Sequence, residues 1–325
     1  MEKADRLSMV IFDKTGTLTQ GCPQVTDSLS LIEPQIFWQW LASAEVTSNH
    51  PLSRAIAAHA AEENIALVLV NDAQVIPGEG ICAEIDGNLI RVGRGQWLEQ
   101  LGIELPGLVR SQINTWAIAG KTVVVAARGA SCIGCLAIED PVRPDAVAGV
   151  EKLRGMGLAV GMMSGDRPET ALVVARKVGI PASQVWAEVR PEEKAQRITQ
   201  LESQGQHIAM IGDGINDAPA LAAATLAIAL GSGTDVAMAS ADVVLVRPQL
   251  TQVGTAIKLC RATYGKIRQN LVWAFIYNCL GLPLAAGCFA DQLGWELNPA
   301  IAGLAMALSS VSVVLNSLVL RYQRF

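Results

Sequence analysis

A chain of 325 residues is long enough for two or three domains, and its formal net charge of -5 gives no basic surplus for nucleic acid. Three histidines are too few for a His-built metal cage, and seven scattered cysteines fit a reduced, cytosolic compartment rather than a disulfide framework. Apolar residues make up 51% and charged residues only 17%, and the apolar surplus gathers toward the C-terminus.

Residues 1–6 are charged and lack an apolar core, so no signal peptide is expected. The run Met9-Val10-Ile11-Phe12 predicts a buried strand that ends at Asp13. A carboxylate at the C-terminal tip of such a strand sits where open α/β sheets bind ligands, and it can attack phosphorus to form an acyl phosphate. For the Asp alone, a polar turn is the plainer reading. Beyond it, 34–44 and 51–63 predict helices, and 66–70, 80–85, 88–92, 122–128 and 131–138 predict strands parted by turn residues, an antiparallel sheet with helices. After Asp140-Pro141 the rhythm becomes strand then helix. Strands are expected at 158–163, 207–211, 226–230 and 243–246, with helices at 144–156, 167–178 and 191–204. That alternation predicts a doubly wound parallel sheet whose first strand is the one ending at Asp13, so the α+β segment is an insertion.

Two charge-free runs close the chain, at 271–290 and from 297 to 320, each long enough to cross a bilayer. A six-residue loop carrying Asp291 and Glu296 separates them. Lys258, Arg261, Lys266 and Arg268 precede the pair, and Arg321 and Arg324 follow it. The charge bias places both outer ends, and with them Asp13, in the cytosol of an integral, multi-pass membrane protein. Two buried helices of a soluble core are the alternative.

Several motifs fall at strand ends. Gly212-Asp213-Gly214-Ile215-Asn216-Asp217-Ala218-Pro219 follows one strand, and Asp213 there suits Mg²⁺, a hard cation that takes oxygen ligands. Asp217 is a candidate helix cap that also orients the metal shell. Ser164-Gly165-Asp166 offers a hydroxyl and a backbone N–H to phosphoryl oxygens. Pro51 near a helix start places His50 at its cap, and no Walker-type loop occurs. Cys132-x-x-Cys135 lies in a strand-like run without a second pair, and structural packing is expected for it.

The heptad Asp13-Lys14-Thr15-Gly16-Thr17-Leu18-Thr19 resembles, residue for residue, the phosphorylation signature of P-type ATPases, and the GDGINDAP string resembles a second signature of that family. The resemblance implies a haloacid-dehalogenase-like fold: a phosphorylation domain at 1–22 and 139–262, an inserted nucleotide-binding domain at 23–138, and a two-helix membrane hairpin at 263–325 with spans near 271–290 and 298–320. It implies Asp13 as the nucleophile, Lys194 and Ser164 balancing charge, and Asp166 beside them. Mg²⁺ would be held by Asp13, the Thr15 carbonyl, Asp213 and Asp217. Soluble phosphatases of this superfamily usually carry a second Asp two residues after the nucleophile. Thr15, a poor acid or base, stands there, so the acyl phosphate should persist.

The inserted segment resembles the heavy-metal branch. Ser48-Asn49-His50-Pro51-Leu52 is similar to its Ser-Glu-His-Pro-Leu motif, whose His packs on adenine, with Asn49 replacing Glu. Glu45, the Gly78-Glu79-Gly80-Ile81 run and Gly93 match its nucleotide-binding positions, while Arg94 stands where Asn is usual. Tyr277-Asn278 and the Met306/Ser310 pair resemble the last two helices of copper(I) pumps, and thioether sulfur favours a soft ion. For any one of these residues alone, ordinary helix packing is the plainer reading, but together they favour the copper-pump resemblance. The expectation is ATP-driven transport of Cu(I) with Mg²⁺ and ATP, in contact with lipid. Membrane Cys-Pro-Cys and actuator Thr-Gly-Glu motifs do not occur here in that context, so the chain resembles the C-terminal part of a pump whose N-terminal part is a partner. A membrane-tethered phosphatase, a zinc or potassium pump fragment, and a degenerate fragment that only binds a nucleotide or partner are the competing readings.

Overall fold

The computed structural model describes residues 1–212, 217–231, 239–285 and 299–322, and within 277–278, 280–285 and 299–306 the backbone only. A short 3₁₀ turn at Glu2–Asp5 leads into β1 (Met9–Asp13), all five residues of which are buried. The chain then makes β2 (Gln24–Ser30), α1 (Pro34–Glu45), α2 (Pro51–Glu62), β3 (Val70–Ile76), β4 (Gly80–Ile85), β5 (Asn88–Gly93), α3 (Gly95–Gln100), α4 (Gly107–Ile118), β6 (Thr122–Arg128) and β7 (Ser131–Glu139). It returns through α5 (Ala146–Gly155), β8 (Ala159–Met163), α6 (Pro168–Val178), β9 (Val185–Trp186), α7 (Pro191–Ser203), β10 (Ile208–Gly212), α8 (Ala218–Ala223), β11 (Leu226–Leu230) and β12 (Val243–Leu245). Two longer helices follow, α9 (Thr251–Ala285) and α10 (Pro299–Leu318).

The strands form two six-stranded sheets. One is parallel, in the order β12-β11-β10-β1-β8-β9, with β1 near its middle. Alternation along β1 sorts its side chains between two cores. Val10 and Phe12 join α5, α6 and the foot of α9 (Val253, Ile257), while Met9 and Ile11 join Ile198 of α7 and Leu221 of α8. Burial on both faces explains why these strands read as continuous apolar runs. The second sheet is antiparallel, in the order β2-β7-β6-β5-β4-β3, with α1 and α2 on one face and α3 and α4 on the other. It lies in sequence between β1 and β8, as an insertion should.

One expectation needs correction. The strand expected at 66–70 is displaced to β3 at Val70–Ile76. The apolar residues before it are tied down by side chains instead of a ladder: Val68 N–H donates to Ser43 Oγ at 2.9 Å, and Gln39 Nε2 donates to the Ala66 carbonyl at 3.0 Å. As to the spans expected at 271–290 and 298–320, no helix among the described residues is long and apolar enough to cross a membrane. Both expected runs reach into 286–298, outside the described residues.

The Cys132/Cys135 pair is core, as expected. A bulge at Gly134 (φ +149°) turns both cysteines toward the α3/α4 face, where Cys135 is fully buried. Burial first, and Cys132 beside it second, push the Cys135 thiol up to about 12, which leaves it inert at neutral pH.

Candidate functional site

Parallel pairing sets Asp13 of β1 beside Met163 of β8, and Gly212 ends the neighbouring strand β10. The catalytic candidates thus gather along one sheet edge, at the carboxyl ends of the strands. Asp13 is 6% exposed. Lys194, 7% exposed, reaches in from the first turn of α7, whose start is fixed by Pro191 and by a hydrogen bond from Arg190 N–H to Glu193 Oε2. Its Nζ donates to Asp13 Oδ1 and to Asp217 Oδ1, each at 2.6 Å. Burial pulls the Lys194 ammonium down, but the Asp13 and Asp217 carboxylates outweigh it and hold it above the ordinary lysine value. One buried cation therefore stands between two carboxylates.

Asp217 does not cap α8. It occupies the position before that helix, yet its side chain makes no cap bond and turns to Lys194 instead. Gly212 makes this possible, because a Cβ there would lie 2.7 Å from Asp217 Oδ2. Asp213 lies outside the described residues. Among the described residues no three His, Cys, Asp or Glu side chains cluster as a metal site, and the oxygen donors present, Asp13 and Asp217, are of the type Mg²⁺ takes.

The loop after Asp13 is one wide turn closed by Thr19 N–H donating to the Lys14 carbonyl at 3.0 Å, and Gly16 sits at φ +72° inside it. Thr15 is exposed on that turn. Ser164 is buried, and its hydroxyl donates to Asp166 Oδ2 at 2.8 Å while accepting Asp166 N–H at 3.1 Å. Asp166 Oδ2 also pairs with Lys14 Nζ at 2.6 Å. Sequence reasoning gave Lys14 no role. Its adjacency to Asp13 was the available signal, but only the fold shows it brought to Asp166.

A second site lies on the antiparallel sheet. Glu45, His50, Gly78, Gly80, Ile81 and Gly93, all expected to bind nucleotide, line one cleft of about 280 Å³, with Arg94 at the same wall. His50 is exposed and starts α2, its Nδ1 accepting Leu52 N–H at 3.2 Å. Gly80 and Gly93 pair across β4 and β5 against Trp97, so closely that a Cβ at Gly80 would lie 2.2 Å from the Val92 carbonyl oxygen. Replacing Gly80 with Ala should cost at least about 1–3 kcal/mol, as overpacking does, measured by chemical denaturation. Glu45 is 8% exposed, and burial, only partly offset by a hydrogen bond from Ser53, raises its carboxyl above the ordinary range. A raised folded value means stability present at acid pH and lost as pH climbs through that value. Glu45→Gln should therefore be more stable than the parent at neutral pH, with the gain vanishing below the ordinary glutamate range, read from thermal melts across pH.

The residues expected to bind the transported ion are less defined. Tyr277 and Asn278 fall within α9 and Met306 within α10, with side chains outside the described residues, and Ser310 is exposed on α10.

Residues 7–225 match the family profile of haloacid dehalogenase-like hydrolases. The chain is 48% identical over 324 residues to the probable copper-transporting ATPase PacS of Synechococcus elongatus, covering 99% of this chain and 43% of that protein. It is 42% identical to a copper-exporting P-type ATPase of Staphylococcus aureus, covering 100% of this chain and 39% of that one. A crystal structure of a zinc-transporting PIB-type ATPase superposes with a TM-score of 0.82 at 33% identity, covering 98% of this chain and 50% of that one. The chain thus spans less than half the length of these curated relatives. It belongs to the haloacid dehalogenase-like hydrolases, and within them it aligns along nearly its whole length with P-type ATPases.

Proposed function

We propose that this chain captures phosphate from ATP on Asp13 and forms the catalytic part of a heavy-metal pump, with Cu(I) as the transported ion. The observation that carries the reading is the buried Lys194 bridging Asp13 and Asp217 at the tip of β1. In this reading the parallel sheet and its helices, 1–22 and 139–262, are the phosphorylation domain, and 23–138 is the nucleotide-binding domain. Adenine enters the cleft beside Glu45 and His50, and the glycines let the backbone approach it. An Asp13 oxygen attacks the γ-phosphorus in line. The new O–P bond forms as the bond to the β,γ-bridging oxygen breaks, and ADP leaves. Lys194 offsets the charge on the phosphoryl group, and Ser164, with Lys14 and Asp166 beside it, orients its oxygens. Mg²⁺, when held by Asp13, the Thr15 carbonyl, Asp213 and Asp217, supplies further neutralisation of phosphate charge. Thr15 offers neither acid nor base, so the acyl phosphate outlives its formation and can be coupled to movement.

The apolar flanks of α9 and α10 support a membrane hairpin. Leu271, Val272, Phe275 and Ile276 on one, and Leu308, Val311, Val314 and Leu315 on the other, are all exposed. Lys266 and Asn270 hydrogen-bond Asn316 and Ser317 where the two helices meet. Tyr277, Asn278, Met306 and Ser310 are then the candidates for holding the transported ion, a soft-metal choice consistent with copper-transporting relatives. The likeness to a zinc-transporting structure makes zinc the competing ion, and the family match keeps a phosphatase of small esters as a second chemistry.

Rapid-quench labelling tests both points. A phosphoenzyme should form from Mg-ATP and not from p-nitrophenyl phosphate; equal labelling or turnover with the ester favours the phosphatase. With an N-terminal pump half supplied in trans, Cu(I) and Ag(I) should change the phosphoenzyme level while Zn(II) and K⁺ do not.

A further inference from the structure

The three buried side-chain atoms without a hydrogen-bond partner among the described residues all sit in one place. They are Thr17 Oγ1, Asp140 Oδ1 and Arg143 Nε, and they surround the turn that follows Asp13. Here the chain passes between the sheets twice. Thr19 bridges to Val142, Gln20 N–H donates to the Pro141 carbonyl at 2.9 Å, and Thr19 Oγ1 donates to Asp140 Oδ2 at 2.5 Å. Arg143 then adds a polar link between that turn and the start of α9, whose foot shares the apolar core with Leu18 beside the turn. Its Nη2 donates to the Gly16 carbonyl at 2.7 Å, inside the phosphorylation turn. Its Nη1 donates to the Pro248 carbonyl at 3.3 Å, just before the first turn of α9. The first bond is short and the second long.

Buried polar groups are costly to leave unpaired, so a cluster of them around one turn makes its hydrogen bonding sensitive to any shift there. A guanidinium has five N–H donors in a rigid fork, and this one uses two while Nε is idle. A shift of the turn would move the Gly16 carbonyl and, through the fork, act on Pro248. The helix that begins at Thr251 packs its foot into the core under β1 and runs unbroken to Ala285, so it would move as a rigid lever.

We propose that Arg143 is the positioning residue that carries a change at the phosphorylation turn into α9, a proposal that rests on the reading of Asp13 as the phosphorylated group. Its hydrogen bonds in the structure go to backbone carbonyls. Its fork ties Gly16 to Pro248, and both bonds are needed.

The test uses the full chain in detergent with beryllium fluoride and Mg²⁺, a mimic of the acyl phosphate. Hydrogen exchange of peptides covering 9–19 reports binding, and exchange of 258–270, in the first half of α9, reports transmission. In the parent both segments should change. In Arg143→Gln the 9–19 response should remain while the 258–270 response is lost. Arg143→Lys keeps the charge but loses the planar two-pronged fork, and it should lose the same response. The Lys variant carries the test if the Gln variant does not fold. A 258–270 response that persists in either variant overturns the proposal. No change at 9–19 in the parent overturns the Asp13 reading itself.

Discussion

Asp13→Asn should abolish acid-stable labelling by γ-labelled ATP, to background. Asn keeps the shape of Asp and leaves a carbonyl oxygen that still accepts from the Lys194 ammonium, which retains its bond to Asp217. What it removes is the charged oxygen that attacks phosphorus, and an amide is not a nucleophile under these conditions. The loss is therefore chemical and not structural. Unfolding stability should stay within the range of about 0.5–3 kcal/mol that ordinary substitutions occupy, measured on the same preparation by denaturation. The label on the parent should also be released by hydroxylamine, as an acyl phosphate is and a phosphoserine is not. A variant that still becomes labelled would move the nucleophile elsewhere, and the hydroxyls of Thr15, Thr17 and Ser164 near the same strand edge would be examined next.

That strand edge was legible in the sequence because its parts are local. An apolar run buried on both faces has a fixed signature, and the residue at its tip is found by counting. The cleft was legible for a different reason: Glu45, His50, Gly78, Gly80, Ile81 and Gly93 each belong to a short motif, and the antiparallel sheet with α1 and α2 then folds those motifs onto one wall. Contacts between distant segments left no such mark. Nothing local says that Lys14 pairs with Asp166, or that Arg143 reaches both Gly16 and Pro248. Of the two parts expected of Asp217, the cap does not form, although its position before α8 is a cap position, because its side chain turns to a buried ammonium. The strand at 66–70 was misplaced because Val68 and its neighbours are as apolar as a strand. Their backbone bonds go to Ser43 and Gln39, which only the packed helix α1 can supply. Strand β2 escaped notice because its polar, half-exposed residues carry little strand signal, its place being set by pairing with β7.

Lys194→Met should cost the most stability of any single change at the site, about 3–5 kcal/mol at neutral pH. Methionine fills much of the same volume, so packing is nearly kept. The loss is electrostatic: Asp13 and Asp217, both buried, would face each other with no cation between them. Two consequences separate this from a packing defect. First, the deficit should shrink as pH falls through the carboxylate range, because protonating either Asp relieves the repulsion; a cavity would cost the same at every pH. Second, adding Asp217→Asn to Lys194→Met should recover part of the stability, since residues in one ion network are not additive. The parent has its own limit at the other end of the scale. Because the two carboxylates hold the Lys194 ammonium above its ordinary value, its contribution is fully present below the ordinary lysine range and is lost only as pH rises through the raised folded value. Phosphorylation should fail in Lys194→Met and in the double variant alike, because both lack the cation that balances charge at phosphorus. Recovered stability without recovered labelling would show that one side chain holds the two carboxylates together and readies Asp13 for attack, and denaturation curves run beside rapid-quench labelling on the parent and the two variants would read it directly.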